Sequence, residues 1–266
     1  EVHSFIENVY TLTDLDMQQI YPVQDPLSKS QDPASVVFRI DQNLYSQDNF
    51  QNDELITVLD KGFLRQVRIG NVLVKPIDYN PVSGELKMVT SIDFTIHFDN
   101  ANLGRTEQRQ SQYYSPYFEP IYTQLANYDP SSFRNDDLMG EKITYVIIAN
   151  QVFRGYLGDF IQWKTEKGYE VVVGYTDEIG SSSSNIRSFI MDLYNNPTDD
   201  TPAPSFVLLI GDTSQLPASY SSGGHVSDLD YCDFTGDKMP EILHGRFSAQ
   251  TPTHLTSQID KTLEYE

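Results

Sequence analysis

Carboxylate side chains are concentrated in one short segment of the chain. Five of them lie between positions 228 and 241: Asp228, Asp230, Asp233, Asp237 and Glu241. Like charges this close in sequence repel one another unless they spread into solvent or share a cation. The segment is loop-like and rich in oxygen ligands, as calcium requires, but it lacks the full helix–loop–helix calcium signature. Two interpretations stay open: a solvated acidic loop, or a structural calcium site formed by Asp233, Asp237 and Glu241.

Other side chains that could do chemistry are sparse. Cys232 is the only cysteine. A lone cysteine is most often a small buried hydrophobe, so we expect Cys232 to be structural. The histidines are scattered and form no convincing metal pair, although His225 lies near the acidic segment. Asp212, in a Gly-Asp pair that follows an apolar run, is typical of a turn or a helix cap.

The elements that must position these residues alternate between strand and helix after residue 140. Apolar runs at 144–149, 169–175 and 205–210 predict strands, and helical spacing of apolar residues at 153–161 and 186–194 predicts crossover helices between them. Thr251-Pro252 predicts the start of a third helix. The pattern indicates an α/β fold with a parallel sheet, whose site should lie beyond the carboxyl ends of the strands, from Gly211-Asp212 to Asp228.

The first hundred residues instead carry β signals. Apolar and polar residues alternate from Leu86 to Phe98, which predicts one long strand. The turn residues at 80–84 predict a hairpin with the extended stretch 66–74, and runs at 36–40 and 55–59 would complete an antiparallel sheet. We therefore predict an all-β module at 1–100, a linker or activation segment at 101–141, and an α/β part at 142–266.

Charge narrows the classes of partner. The formal net charge of −20 repels phosphate backbones and anionic lipid, so we expect neither nucleic-acid binding nor membrane insertion. Cations and basic peptides suit this charge better. Basic residues in the predicted linker are either ordinary solvated charges or sites for a trypsin-like cut, and Arg134 is the best candidate for processing.

Several blocks together resemble one family. They are Val226-Ser227-Asp228-Leu229-Asp230-Tyr231, Asp233 to Asp237 as Asp-x-x-Gly-Asp, Pro240-Glu241, and Gly245-Arg246-Phe247-Ser248. Blocks around Trp163-Lys164, Tyr175-Thr176-Asp177-Glu178 and Leu209 to Thr213 agree with them. Residues 140–266 thereby resemble the gingipain-type C25 cysteine peptidases, and the β module resembles the family's pro-region.

This resemblance implies a secreted or cell-surface bacterial cysteine endopeptidase zymogen, of the Bacteroidota export type, with a caspase-like α/β fold. In such enzymes Cys attacks the peptide carbonyl, His moves protons and an acid steadies His. Asp228 occupies the acid's motif position. The expected partners are protein or peptide substrates cleaved after basic residues, and the remaining carboxyl-terminal half of the peptidase domain. Because the resemblance places the family's catalytic His and nucleophilic Cys after this stretch, it implies that the chain by itself is inactive.

Two alternatives remain open. One is a noncatalytic module that binds or inhibits a peptidase, for which the α/β part serves as a docking scaffold. The other is part of a C25-type surface transpeptidase, which would cleave an exported protein and join the new end to an amine.

Overall fold

The computed structural model describes residues 1–51, 54–130, 142–220 and 224–266, which form two compact units. The first unit comprises 1–60 and 70–101, and the second comprises 61–69 and 102–266. In the described parts of the chain, no helix is both long and apolar enough to cross a bilayer.

The first unit is built on antiparallel strands, as the alternating pattern predicts. The elements up to residue 101 are β1 (Val2–Thr11), α1 (Gln42–Tyr45), β2 (Ile56–Leu64), β3 (Val67–Val74), β4 (Ile77–Asn80) and β5 (Glu85–Phe94). Strands β1, β5 and β4 form an antiparallel sheet with β5 in the middle. Strands β2 and β3 form a separate hairpin, whose tip at 61–69 belongs to the second unit.

The turn at 80–84 is confirmed, but its partners differ from the prediction. The Asn80 side-chain oxygen accepts hydrogen bonds from the backbone of Val82 and Ser83 at 3.0 and 3.2 Å, and the turn joins β4 to β5. The stretch 66–74 pairs instead with β2, because only Arg65 and Gln66 separate the two strands. The run 36–40 forms no strand, and the sheet takes β1, which the sequence pattern did not reveal.

The second unit contains a parallel sheet flanked by helices. Its elements from residue 102 are α2 (Leu103–Tyr113), α3 (Glu119–Tyr122), β6 (Ile143–Ala149), α4 (Gly158–Glu166), β7 (Tyr169–Tyr175), α5 (Thr176–Ile179), α6 (Ser183–Asn195), β8 (Phe206–Ile210), β9 (Ser219–Tyr220), β10 (Val226–Ser227), β11 (Leu243–Phe247) and α7 (Pro252–Tyr265). The strand order is β11-β8-β6-β7, and all three pairings are parallel. This confirms the predicted α/β fold with crossover helices.

Both faces of the sheet are covered, which explains why its central strands are apolar on both sides. On one face, Val146 and Leu209 pack with Ile186 and Ile190 of α6. On the other face, Ile147 and Ile210 pack with residues of α4 and α7. Side-chain caps fix where the helices begin. Ser182 Oγ accepts from the Asn185 amide at 3.1 Å, and Thr251 Oγ1 accepts from the His254 amide at 3.3 Å.

The segment predicted as a linker carries structure of its own. Helices α2 and α3 lie within 101–130, and both belong to the second unit. Phe118 and Tyr122 are fully buried with Leu64 and Val67 of the hairpin tip in a small apolar cluster. Aromatic residues in this polar stretch form the packed cluster. Because they show no sustained period, the sequence pattern did not predict this packing.

Candidate functional site

The four parallel strands all end at one edge of the sheet, where the first polar residues of the following loops collect. Strand β8 ends at Ile210 and is followed by Gly211-Asp212, while β11 ends at Phe247 and is followed by Ser248. The Gly211 amide donates to the Phe247 carbonyl at 3.0 Å, so the two strand ends remain paired beyond the last ladder residue. This is the edge at which open parallel sheets place their working residues.

Asp212 connects these neighbouring strand ends. Its carboxylate accepts hydrogen bonds from Ser248 Oγ at 3.0 Å and from Gln250 Nε2 at 2.6 Å. These bonds, that of Gln250 foremost, hold the pKa of Asp212 below its usual value. Its backbone carbonyl also accepts from the amides of Gln215 and Leu216, as in a turn. The geometry thus agrees with the structural interpretation of Asp212.

Asp228 is ion-paired with Arg246 of β11. Arg246 Nε lies 2.8 Å from Asp228 Oδ2 and Nη2 lies 2.7 Å from Oδ1, and both side chains are largely buried. The same guanidinium donates Nη1 to the carbonyls of Gly211 and Leu216 at 2.8 and 2.9 Å. Arg246 therefore ties the loop that carries Asp228 to the carboxyl end of β8. As the acid that steadies a catalytic histidine, Asp228 stays a prediction.

Arg246 and Arg187 are the site residues that sequence reasoning missed. Arg187, on α6, donates from Nε to the carbonyl of Asp230 at 2.8 Å and from Nη2 to that of Asp233 at 3.0 Å. It lines a surface cleft of about 370 Å³ together with Asp230, Asp233 and Lys238. The Gly-Arg-Phe block around Arg246 was the available signal, because a basic residue within a short apolar strand needs buried acceptors.

The three proposed calcium ligands each bind their own loop. Asp233 accepts from the amides of Gly236 and Lys238 at 2.6 and 3.1 Å. Glu241 accepts from the Phe234 amide at 2.7 Å and from Thr235 Oγ1 at 3.2 Å. Burial is the main cause that raises the pKa of Glu241 above its usual value.

Asp237 differs from these two carboxylates. Its Oδ1 accepts from the Met239 amide at 2.8 Å, whereas its Oδ2 is buried and has no hydrogen-bond partner among the residues that the structure describes. In the described residues, no group of three or more His, Cys, Asp or Glu side chains is arranged to hold a metal ion. A calcium site at Asp233, Asp237 and Glu241 stays a prediction.

Cys232 lies in the core of the second unit. It is fully buried, in the apolar cluster that includes Tyr231 and Ile190. Burial, reinforced by the nearby carboxylates of Asp228 and Glu241, raises the pKa of its thiol well above the usual range. A thiol in this setting is neither ionised nor accessible, so Cys232 is structural, as expected.

Two other predicted residues complete the set. His225 is exposed beside the short strand β10. Arg134, the proposed processing site, falls outside the described residues, within 131–141.

Two family models match successive parts of the chain. Residues 6–115 match the family described as Propeptide_C25, and residues 139–266 match Peptidase family C25. The chain is 34% identical over its full length to Lys-gingipain HG66 of Porphyromonas gingivalis and covers 16% of that protein. It is 28% identical to Gingipain R1 of the same organism over 93% of this chain, which covers 24% of that protein.

Among solved structures, the crystal structure of the Arg specific cysteine proteinase gingipain R is similar to this chain. The two share 30% sequence identity with a TM-score of 0.43, and the alignment covers 48% of this chain and 29% of that one. All of this chain aligns with Lys-gingipain HG66, but it spans only about a sixth of the length of that protein.

Proposed function

Since the chain belongs to the C25 family of gingipain-type cysteine peptidases and carries its propeptide domain with part of its peptidase domain, we propose that it is the amino-terminal portion of a secreted endopeptidase zymogen. The intact protein would cleave polypeptides after basic residues. The observation that carries the proposal is the order of the two matches, because a propeptide that directly precedes a peptidase domain is the arrangement of a latent enzyme.

The proposed substrate preference rests on the relatives. The name of the similar Lys-gingipain specifies lysine, a basic residue. A net charge of −20 favours the approach of basic polypeptides, which is consistent with such a preference. The choice between lysine and arginine is left to experiment.

We propose that the nucleophile and its base come from the part of the peptidase domain that this chain does not cover. The support is the environment of Cys232, the only thiol in the sequence, whose burial and raised pKa unfit it for attack on a peptide carbonyl. On this proposal, residues 1–266 alone are inactive, and their strands β6, β7, β8 and β11 supply the sheet on which the catalytic groups are mounted.

Hydrolysis of peptidyl-lysine and peptidyl-arginine anilides tests the proposal. We expect the intact protein to hydrolyse at least one of them and to lose activity on treatment with iodoacetamide, while its Cys232→Ala variant keeps both properties. The chain of 266 residues should hydrolyse neither substrate. An intact protein that binds a peptidase but hydrolyses nothing would favour the noncatalytic module. A product in which the acyl group is transferred to an added amine would favour the transpeptidase.

A further inference from the structure

Arg65 occupies an unusual position at the tip of the β2–β3 hairpin. Only Arg65 and Gln66 separate the two strands, and Arg65 has a φ of 54°, in the left-handed region. Two-residue hairpin turns of this kind favour glycine or asparagine, because most other residues are strained at a positive φ. An arginine at this position suggests that favourable contacts of its side chain offset the backbone strain of the positive φ.

The Arg65 side chain is fully buried, and four of its five N–H donors bond main-chain carbonyls. Nη1 donates to Pro204 at 2.6 Å and to Glu241 at 2.9 Å, while Nη2 donates to Ala203 at 3.2 Å. Nε donates to Tyr113 at 2.8 Å. The guanidinium thus makes four hydrogen bonds to backbone carbonyl oxygens.

Two aromatic rings complete the pocket. The guanidinium carbon lies 5.0 Å from the centroid of Phe118 and 5.5 Å from that of Tyr194, within the range of a cation–π contact. Burial lowers the pKa of Arg65, yet a guanidinium stays protonated in proteins. A buried cation is tolerated only where its donors are satisfied, and this pocket satisfies at least four of the five.

The pocket joins two regions of the chain that match different families. Arg65 lies in the propeptide match, whereas its acceptors Ala203, Pro204 and Glu241 lie in the peptidase match. Further contacts follow the same division. Ser205 Oγ donates to Ser115 Oγ at 2.8 Å in a buried position. The rings of Tyr113 and Tyr194 stack with centroids 4.7 Å apart.

We propose that Arg65 is the anchor that keeps the propeptide bound to the peptidase domain after the chain between them is cleaved. The cleavage itself rests on the proposed zymogen function, whereas the anchoring rests on the pocket alone. The partner is therefore defined chemically, as a set of three peptidase-domain carbonyls and one aromatic ring that accept a guanidinium. Lysine does not replace it, because a single ammonium cannot reach carbonyls placed around a planar fork.

The experiment uses the full chain with a site-specific protease sequence in place of residues 131–138. The chain is cut after folding, and the rate at which the two pieces separate is followed by size-exclusion chromatography. The test variant is Arg65→Gly, because glycine suits a φ of 54° and so preserves the hairpin turn. The matched control is Arg39→Gly, which removes an exposed arginine paired only with Asp25 in the same propeptide.

We expect the wild-type pieces and the Arg39→Gly pieces to stay together. The Arg65→Gly pieces should separate at least about 100-fold faster, since several charge-assisted hydrogen bonds are lost. Separation of Arg65→Gly at the wild-type rate would overturn the proposal, and so would immediate separation of the wild-type pieces.

A folding defect is recognised before cutting, from the near-ultraviolet circular dichroism of the intact chain. If Arg65→Gly lacks the wild-type spectrum, Arg65→Lys decides the question, because it keeps the charge and the apolar stem. Separation at least about 10-fold faster than wild type would support the anchor, and separation at the wild-type rate would overturn it. Neither measurement uses peptidase activity, so failure of the proposed function leaves a distinct result.

Discussion

Arg246 donates hydrogen bonds from two nitrogen atoms to Asp228, at 2.8 and 2.7 Å, one to each carboxylate oxygen. The other nitrogen of the guanidinium holds the carbonyls that follow β8. One arginine thus fixes both the acidic loop and the end of its neighbouring strand. The pair is a structural joint whatever chemistry the loop performs in the intact protein.

Replacing Asp228 with Asn should destabilise the second unit by about 2 kcal/mol, between the values for an exposed and a fully buried ion pair. Asn keeps one acceptor but removes the charge that balances Arg246. Unfolding in urea, followed by the fluorescence of Trp163 in α4, measures the effect, because Trp163 is the only tryptophan in the sequence. Asp230→Asn, at an exposed position nearby, is the matched control and should change the stability little.

The same variant, made in the intact protein, distinguishes a structural role of Asp228 from the proposed catalytic one. A carboxylate that only steadies a histidine would lower kcat on substitution and leave the unfolding transition in place. We expect instead that the substitution clearly lowers the free energy of unfolding. Wild-type stability combined with a large loss of kcat would contradict the joint and favour the acid.

Cys232 should be unreactive in the folded chain. Because the thiol is buried and its pKa is raised by that burial, iodoacetamide at pH 8 should leave it unmodified in native buffer and modify it completely in 6 M guanidinium chloride. Intact-mass spectrometry reads both results. Rapid modification in native buffer would show that the core around α6 opens easily or that the thiol is not buried.

Glu241 should make stability depend on pH in a particular direction. Burial raises its pKa in the folded state, so the folded chain binds this proton more readily than the unfolded chain does. The resulting stabilisation is fully present below the unfolded pKa, near 4.3 for a glutamate, and is lost as pH rises through the folded value.

The Glu241→Gln variant isolates this contribution. The free energy of unfolding of wild type minus that of Glu241→Gln should become more favourable to wild type as pH falls from about 7 towards 4.3. Urea unfolding at several pH values measures the difference and cancels the titration of the other carboxylates. A difference that stays constant, or that changes in the opposite direction, would contradict a raised pKa.

Gly62, in strand β2, should tolerate no side chain. It has a φ of +114°, and a Cβ there would lie 2.6 Å from Oδ2 of Asp237, a buried oxygen that accepts no hydrogen bond within the described part of the chain. We expect Gly62→Ala to destabilise the second unit by at least about 2 kcal/mol, from backbone strain together with the clash.

Gly236→Ala is the control for that clash. Gly236 also has a positive φ, +79°, but a Cβ there meets nothing within 4 Å. Its substitution should cost about 1–2 kcal/mol, from strain alone. Equal losses of urea stability in the two variants would mean that the contact between Gly62 and Asp237 contributes nothing.

The sequence predicted the elements whose apolar period is long and regular. Strands β6, β7 and β8 and helices α6 and α7 appear where periodicity and caps place them, since burial on a sheet face forces that pattern. The sequence pattern did not predict strand β11, because Gly245 and Arg246 interrupt its run of apolar residues. Its Arg246 satisfies its charge through partners 18 to 35 residues away in sequence, which no local pattern reveals.

The hydrogen-bond partners of the candidate site could not be predicted from the sequence. The acidic segment was found from its composition, and the sheet edge from the strand pattern. That Asp233 and Glu241 bind their own loop, and that Asp228 takes Arg246, depends on the conformation of a loop without period. The role of Arg65 could not be predicted for the same reason, since the local sequence of a two-residue turn predicts that its arginine is exposed to solvent.

The order in which the ribosome makes this chain gives Arg65 a further consequence. Its acceptors Pro204 and Glu241 lie 139 and 176 residues later in the sequence. At about 5–20 residues per second, roughly 7–35 s pass after synthesis of the hairpin before the carbonyls that surround its guanidinium have been made. Until then the guanidinium has only water and local groups, so the hairpin tip remains unburied throughout that interval. Folding of the second unit must therefore be largely completed late in synthesis, and an amino-terminal truncation that removes the hairpin would deprive the emerging sheet of a partner made in advance.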